Sequence, residues 1–308
     1  MAEVQCSRYN IGEIQLLGPG MTSAIEQAMK TLQPWIGSVR VIEDDVALPM
    51  VRRVAATFDV DPDTIKPGTE LPPHWFTMFF ADIARQSQLR EDGHAQGGVV
   101  LPPIPMPRRM GAGRRLKLMA RMRAGEKAVR KCEVVDIVPK TGRSGSIYVL
   151  TLRNTYEQGG RVLGIDEFDA IYREATPPGQ KTTATVPAKA PTDQAWADTV
   201  LMSETLNFRY SAITWNAHRI HYDSIYTREI EGYPHTVQNG GLTMHLMIDA
   251  ALKRAPGELR GLTARLTSPL FVGDSVTICG YAAKDGKMRV FLADKNGTLC
   301  GEMDLEFG

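Results

Sequence analysis

Two periodicities divide the chain. Runs that alternate apolar with polar residues, as half-buried strands do, occur at Cys132–Val138, Ile147–Tyr156 and Arg161–Tyr172. They recur at Ser275–Tyr281, Met288–Ala293 and Thr298–Phe307. In each set a glycine hairpin joins the last two runs, Gln158-Gly159-Gly160 in the first and Lys295-Asn296-Gly297 in the second. Each set opens on a turn that pairs glycine with an acidic residue, Gly125-Glu126 and Gly273-Asp274. Helical text precedes both. Leu48–Phe58 repeats apolar positions at helical spacing, and Gly241–Leu252 is apolar all round behind the breakers Asn239, Gly240 and Gly241. A helix that apolar is buried. The pattern predicts one buried helix wrapped by an antiparallel sheet, twice: an α+β protein with a duplicated unit.

The duplication sets the domain boundaries. Glu174 to Gln194 is rich in Pro, Thr, Ala and Lys and nearly free of large apolar side chains, so it cannot offset its ordering entropy and reads as a linker. The expected organisation is an N-terminal arm over residues 1–30, a first domain over 31–173, a linker over 174–195 and a second domain over 196–308. A length of 308 residues exceeds the usual single core and agrees with two domains.

Charge narrows the partners. A net charge of +1, with 36 basic against 35 acidic residues, argues against nucleic acid, which demands a concentrated positive surface. No apolar run approaches the ~18–20 residues that span a bilayer, and the first residues lack the order of a secretory signal. Cys6, Cys132, Cys279 and Cys300 are scattered without a CxxC pair and read as reduced thiols. A cytoplasmic protein, with no membrane partner, is expected.

Chemistry concentrates in Trp215-Asn216-Ala217-His218-Arg219-Ile220-His221-Tyr222-Asp223. Asn216 and His221, five residues apart, would sit ~140° apart on a regular helix, so they converge only across a bend. Two readings stand side by side. Asn216 is a helix N-cap and His221 a satisfied core residue, or His221 is a general base and Asn216 orients its water. His218 and His221 stand three apart with His235, His245 and Asp249 downstream, but without a nearby third ligand or an HExxH pattern no metal is expected. The glycines at 240 and 241 open a helix whose free N–H groups suit an oxyanion, though a plain tight turn explains them equally. Leu101–Arg115 holds four prolines and two arginine pairs, reading as a stiff loop for phosphate or carboxylate or as a solvated basic loop. Leu71–Phe76 reads as packing against it. GxSxG, GxGxxG and the phosphate-loop pattern are all absent.

The string Tyr210 to Asp223, with Glu231-Gly232-Tyr233-Pro234 and the Leu101–Met110 segment, resembles the MaoC-like double hot-dog hydratases and dehydratases. The resemblance lies nearest the mesaconyl-C4-CoA hydratases and the mitochondrial-type 3-hydroxyacyl-thioester dehydratases, and spans roughly Trp35 to Phe307. It implies a double hot-dog fold with an acyl-CoA thioester bound between the copies and chemistry in the second copy alone. It implies reversible hydration of a 2-enoyl-CoA by His221 and Asn216, with the backbone of Gly240 and Gly241 as oxyanion hole. Substrate binding falls to Arg108, Arg109, Arg219 and Tyr233. Neither metal nor organic cofactor is required, and a homodimer is the assembly it allows. A small dicarboxylic acyl group such as mesaconyl or itaconyl is the first expectation. A fatty-acid-synthesis dehydratase and a non-catalytic acyl-CoA-binding protein are the alternatives, with thioesterase activity further behind. Asn216 stands where the wider pattern has Asp, and Asn239-Gly240-Gly241 where many relatives read His-Gly-Pro, which leaves the oxyanion donor open.

Overall fold

The structure, a computed structural model, describes residues 19–95, 101–106, 108–142, 145–174 and 188–308. In chain order its regular elements are α1 (Pro19–Leu32), β1 (Val39–Asp44), α2 (Leu48–Thr57), β2 (Arg108–Leu118), β3 (Ala128–Gly142), β4 (Gly145–Gln158) and β5 (Arg161–Arg173). The second half follows with β6 (Trp196–Leu201), α3 (Glu204–Ile213), α4 (Ser224–Glu229), α5 (Gly240–Leu252), β7 (Leu259–Leu266), β8 (Ser275–Gly280), β9 (Lys287–Ala293) and β10 (Leu299–Phe307). Among the described residues ten strands form one antiparallel sheet in the order β1-β3-β4-β5-β2-β7-β10-β9-β8-β6. The second five repeat the connectivity of the first. The halves meet where β2 pairs with β7, from Arg114↔Ala264 to Lys117↔Gly261. The duplication expected from the strand pattern is therefore present in the topology.

The two central helices differ. Leu242, Met247 and Ala251 of α5 are wholly buried, and His245 nearly so, each large apolar side chain contributing about 1.5–3 kcal/mol. Helix α2 buries one face only, through Val51, Val54 and Ala55, and turns Arg53 outward. In the first half a 3₁₀ turn over Pro73–Met78 joins α2 in the core, with His74, Trp75, Phe76 and Met78 buried. This corrects the expected role of Leu71–Phe76. It packs against α5 rather than the proline segment: the His74 and His245 rings lie 5.2 Å apart, and His74 Nε2 is 3.0 Å from Asp249 Oδ1.

Two further expectations change. Within the expected arm, residues 1–18 lie outside the described residues, but Pro19–Leu32 is helix α1, and Leu32 is buried with Ile104, Val134 and Leu150. The arginine pairs sit on a strand, not a loop. Strand β2 begins at Arg108, and its alternation sends Arg114 to the inner face and Arg115 to the outer one, each paired with a carboxylate of β5. Most of the expected linker lies outside the described residues, at 175–187; by Lys189 the chain already bridges Thr298 of the second half. Among the described residues no helix is long and apolar enough to cross a membrane.

Candidate active site

Ser203 caps α3, its Oγ accepting the Leu206 N–H at 3.2 Å. The helix ends at Ile213, and Trp215 then takes a left-handed conformation (φ 54°), a geometry that costs an L residue about 1–2 kcal/mol. Between Asn216 and His221 the chain bends at His218, whose extended backbone (φ −62°, ψ 120°) precedes the turn carrying His221, and both residues line one cavity. Asn216 is not a helix N-cap. Its N–H donates to Ser211 O (2.8 Å), and its Oδ1 accepts the His218 N–H (3.0 Å), closing an Asx turn and leaving Nδ2 to donate. Arg219–His221 forms one 3₁₀ turn, and Asp223 caps α4 by accepting the Tyr226 N–H at 2.9 Å.

A single contact orients the imidazole. His221 Nδ1 lies 2.8 Å from the carbonyl oxygen of Val237. A carbonyl can only accept, so Nδ1 carries the proton and Nε2 presents a lone pair. Burial pulls the ring's proton affinity below the ordinary histidine value; the Val237 bond opposes this, and the charge of His94 adds to it. The result is a neutral imidazole whose Nε2 has no hydrogen-bond partner among the described residues.

Asn207, buried on α3, ties this turn to the next element. Its Nδ2 donates to His221 O (2.9 Å) and its Oδ1 accepts the Asn239 N–H (2.9 Å). Asn239 in turn caps α5, its Oδ1 accepting the Gly241 N–H at 3.0 Å. Its Nδ2 is buried with no hydrogen-bond partner.

These groups face a cavity of about 790 Å³ between the halves. The second half contributes Asn216, His221, Asn239, Tyr210 and Ser211, with Phe208, Trp215 and Tyr222 exposed along the wall. The first half contributes Thr77, Arg109, Arg114 and the loop through Arg90, Gly93 and His94. That loop is bolted to the turn bearing His221: the Arg219 N–H donates to Asp92 O at 2.9 Å, and Arg219 Nη1 to Glu91 O at 3.3 Å. Gly93 (φ 89°) approaches so closely that a Cβ there would stand 1.9 Å from Ala217 O. Arg114 gives Nε and Nη2 to Asp166, each at 2.7 Å, which leaves Nη1 without a partner among the described residues.

Not every expected residue reaches the cavity. Arg219 spends its guanidinium on Asp223 (2.7 Å) and the Tyr226 ring (4.1 Å), pinning the turn from outside. Tyr233 packs on Phe271 and does not line the cavity. The Arg108 side chain lies outside the described residues. The Gly241 N–H is consumed by the Asn239 cap and is not free for an oxyanion, whereas the Gly240 N–H has no acceptor among the described residues. Arg109 lines the mouth.

Residues 74–272 match the hydroxyacyl-thioester dehydratase type 2 family. The chain belongs to it. This dehydratase-family protein is accordingly a hydro-lyase. It is 38% identical over 238 residues to mesaconyl-C(4)-CoA hydratase of Chloroflexus aurantiacus, covering 77% of this chain and 84% of that one. Solved structures support the fold alone. A MaoC-like dehydratase from Phytophthora capsici superposes with a TM-score of 0.61 at 14% identity, covering 91% of this chain and 98% of that one. A Mycobacterium tuberculosis protein described as a double hotdog gives 0.56 at 15%, covering 88% and 96%.

Within this family member, the sequence reading did not single out Asn207 or the Arg90–His94 loop, and it took Asn239 as a helix breaker without assigning it the α5 cap. Asn239 carried a usable signal, an Asn just before a helix. Asn207 carried none, since its two partners are fixed only by tertiary contact. For the loop, the Asp92-Gly93-His94 triplet was the one local hint, a glycine between two polar groups that a tight approach would require.

Proposed function

We propose that this hydro-lyase adds water reversibly across the C2=C3 bond of a 2-enoyl-CoA whose short acyl chain ends in a carboxylate, as mesaconyl-C4-CoA does. The observation that carries the chemistry is the His221 Nδ1–Val237 carbonyl contact, which leaves Nε2 as a base facing the cavity. Water held by the Asn216 amide gives a proton to Nε2 as its oxygen bonds to C3. The C2=C3 electron pair moves into the thioester, and the negative charge collects on the carbonyl oxygen. The enolate then collapses and C2 takes the proton back from His221. One water is added and nothing is oxidised.

The oxyanion donors in this reading are the Gly240 N–H and Asn239 Nδ2. Asn239 Nδ2 is supported by its burial without a partner, since an unmet buried donor costs about 1–3 kcal/mol and is retained where something uses it. The free Nη1 of Arg114 receives the acyl carboxylate. Phe208, Trp215 and Tyr222 give the pantetheine arm an apolar wall, with Arg109 at the mouth for a phosphate.

The test uses the wild type and His221→Ala with mesaconyl-C4-CoA, crotonyl-CoA and a medium-chain enoyl-CoA. The wild type should hydrate the dicarboxylic ester best, and His221→Ala should lose about 10²–10⁴ in kcat with unchanged circular dichroism. A preference for the medium chain would transfer the substrate to the fatty-acid type. Near-normal turnover in the variant would remove His221 from the mechanism, and free CoA as the product would replace hydration with thioester hydrolysis.

A further inference from the structure

The docking of the first half's loop onto the His221 turn gathers donors of a second kind. Asp92 and His94 come from the loop and His218 from the turn, and one ligand-type atom of each lies within 4.8 Å of the others. Asp92 Oδ2 and His94 Nδ1 are 3.2 Å apart, yet His94 Nδ1 is buried without a hydrogen-bond partner. The carboxylate and the imidazole nitrogen therefore already face each other at close range. Donors bound to a tetrahedral ion at about 2.0–2.1 Å stand about 3.3 Å from each other, which this pair already satisfies. The rings of His94 and His218 lie 4.1 Å apart.

We propose that Asp92, His94 and His218 form a site for a divalent transition cation of the zinc class, spanning the two halves and leaving an open position toward the cavity that His94 lines. Two imidazoles and one carboxylate suit zinc, cobalt or nickel, whereas magnesium and calcium favour all-oxygen sets. Arg90 Nη2 also sits 3.2 Å from Asp92 Oδ2 and competes with the ion; its side chain is half exposed and can release the carboxylate to it. His221 is not one of the clustered donors. The site therefore stands apart from the hydration chemistry, and occupation would clamp the loop onto the turn that carries the base.

Tag-free protein stripped with EDTA and titrated with zinc chloride in a calorimeter tests this directly. One equivalent should bind, with a rise in Tm. His94→Ala and Asp92→Asn should each weaken binding at least about tenfold, and Arg90→Gln should tighten it. His235→Ala, which removes an exposed imidazole elsewhere, should change nothing. Cobalt substitution should give the visible absorption of a tetrahedral ion, lost in His218→Asn, so the site is read a second way if one variant folds poorly. Absence of zinc uptake by the wild type overturns the proposal, as does equal uptake by wild type, His94→Ala and Asp92→Asn. Neither result touches the hydratase reading, which is scored on enoyl-CoA turnover.

Discussion

Replacing Gly93 with alanine would force a methyl carbon to within 1.9 Å of the Ala217 carbonyl oxygen, at a φ of 89° that L side chains rarely adopt. The loop would have to lift from the turn between Asn216 and His221. Displacements of about 1 Å at a reacting centre cost up to 10² in rate. Gly93→Ala should therefore lower kcat/KM by about that factor while leaving the far-ultraviolet spectrum intact, and unchanged kinetics would mean that the docking is dispensable. Arg114 allows a finer measurement. Arg114→Lys keeps the charge beside Asp166 but loses the planar fork. If Nη1 reads the acyl carboxylate, the kcat/KM ratio of mesaconyl-C4-CoA to crotonyl-CoA should fall about 10–100-fold, the value of one hydrogen bond to a charged group. Equal losses on both substrates would assign Arg114 to packing.

Among the elements, α3 and α5 are coupled through one buried side chain. Asn207 joins the His221 carbonyl to the Asn239 N–H and so ties the turn bearing His221 to the capped end of α5. Asn207→Leu leaves a carbonyl and an N–H buried and unpaired, at about 1–3 kcal/mol each. A lower Tm, read by calorimetry, should accompany a drop in kcat larger than the change in KM. A thermal effect without a kinetic one would make the contact purely structural. Elements were legible from the sequence in proportion to how local their causes are. Strands β3–β5 and β8–β10 announced themselves by alternation and glycine hairpins, and α5 by its continuous apolar text. Strand β2 was hidden because its inner positions include Arg114, whose partner Asp166 becomes visible only when β5 lies alongside. Asn216 and His221 were legible as residue types, but both line one cavity only because the chain between them leaves helical geometry at His218, which no propensity announces.

Across the whole molecule the halves are held by polar contacts as well as by the sheet. His245 of α5 lies 3.2 Å from Thr77 Oγ1 of the first half, and burial, then the charges of His74 and Arg114, hold its proton affinity well below the ordinary 6.5. The native ring stays neutral, while the unfolded chain binds a proton there below about pH 6.5. Since the unfolded state then carries more protons, stability is full above that pH and lost as pH falls through it, by up to about 1.4 kcal/mol per unit for this one group. Tm should drop between pH 7 and pH 5, and His245→Gln, which cannot titrate, should flatten that slope. An unchanged slope would mean that other groups control the acid response. None of this was readable from the chain, where His245 stands as one imidazole in an apolar helix.

The seam between β2 and β7 also bears on ancestry. Two copies of a single five-stranded unit, aligned edge to edge around a local twofold, would make the same antiparallel pairing between separate chains. Joining the copies end to end keeps that pairing but releases each from having to match the other. Here the second unit carries Asn216 and His221 on a bent turn, and the first carries the Gly93 loop that fits against it. Cutting the chain in the segment before Lys189 should leave two fragments that reassociate only with each other, because each exposes a strand edge shaped for the other's backbone.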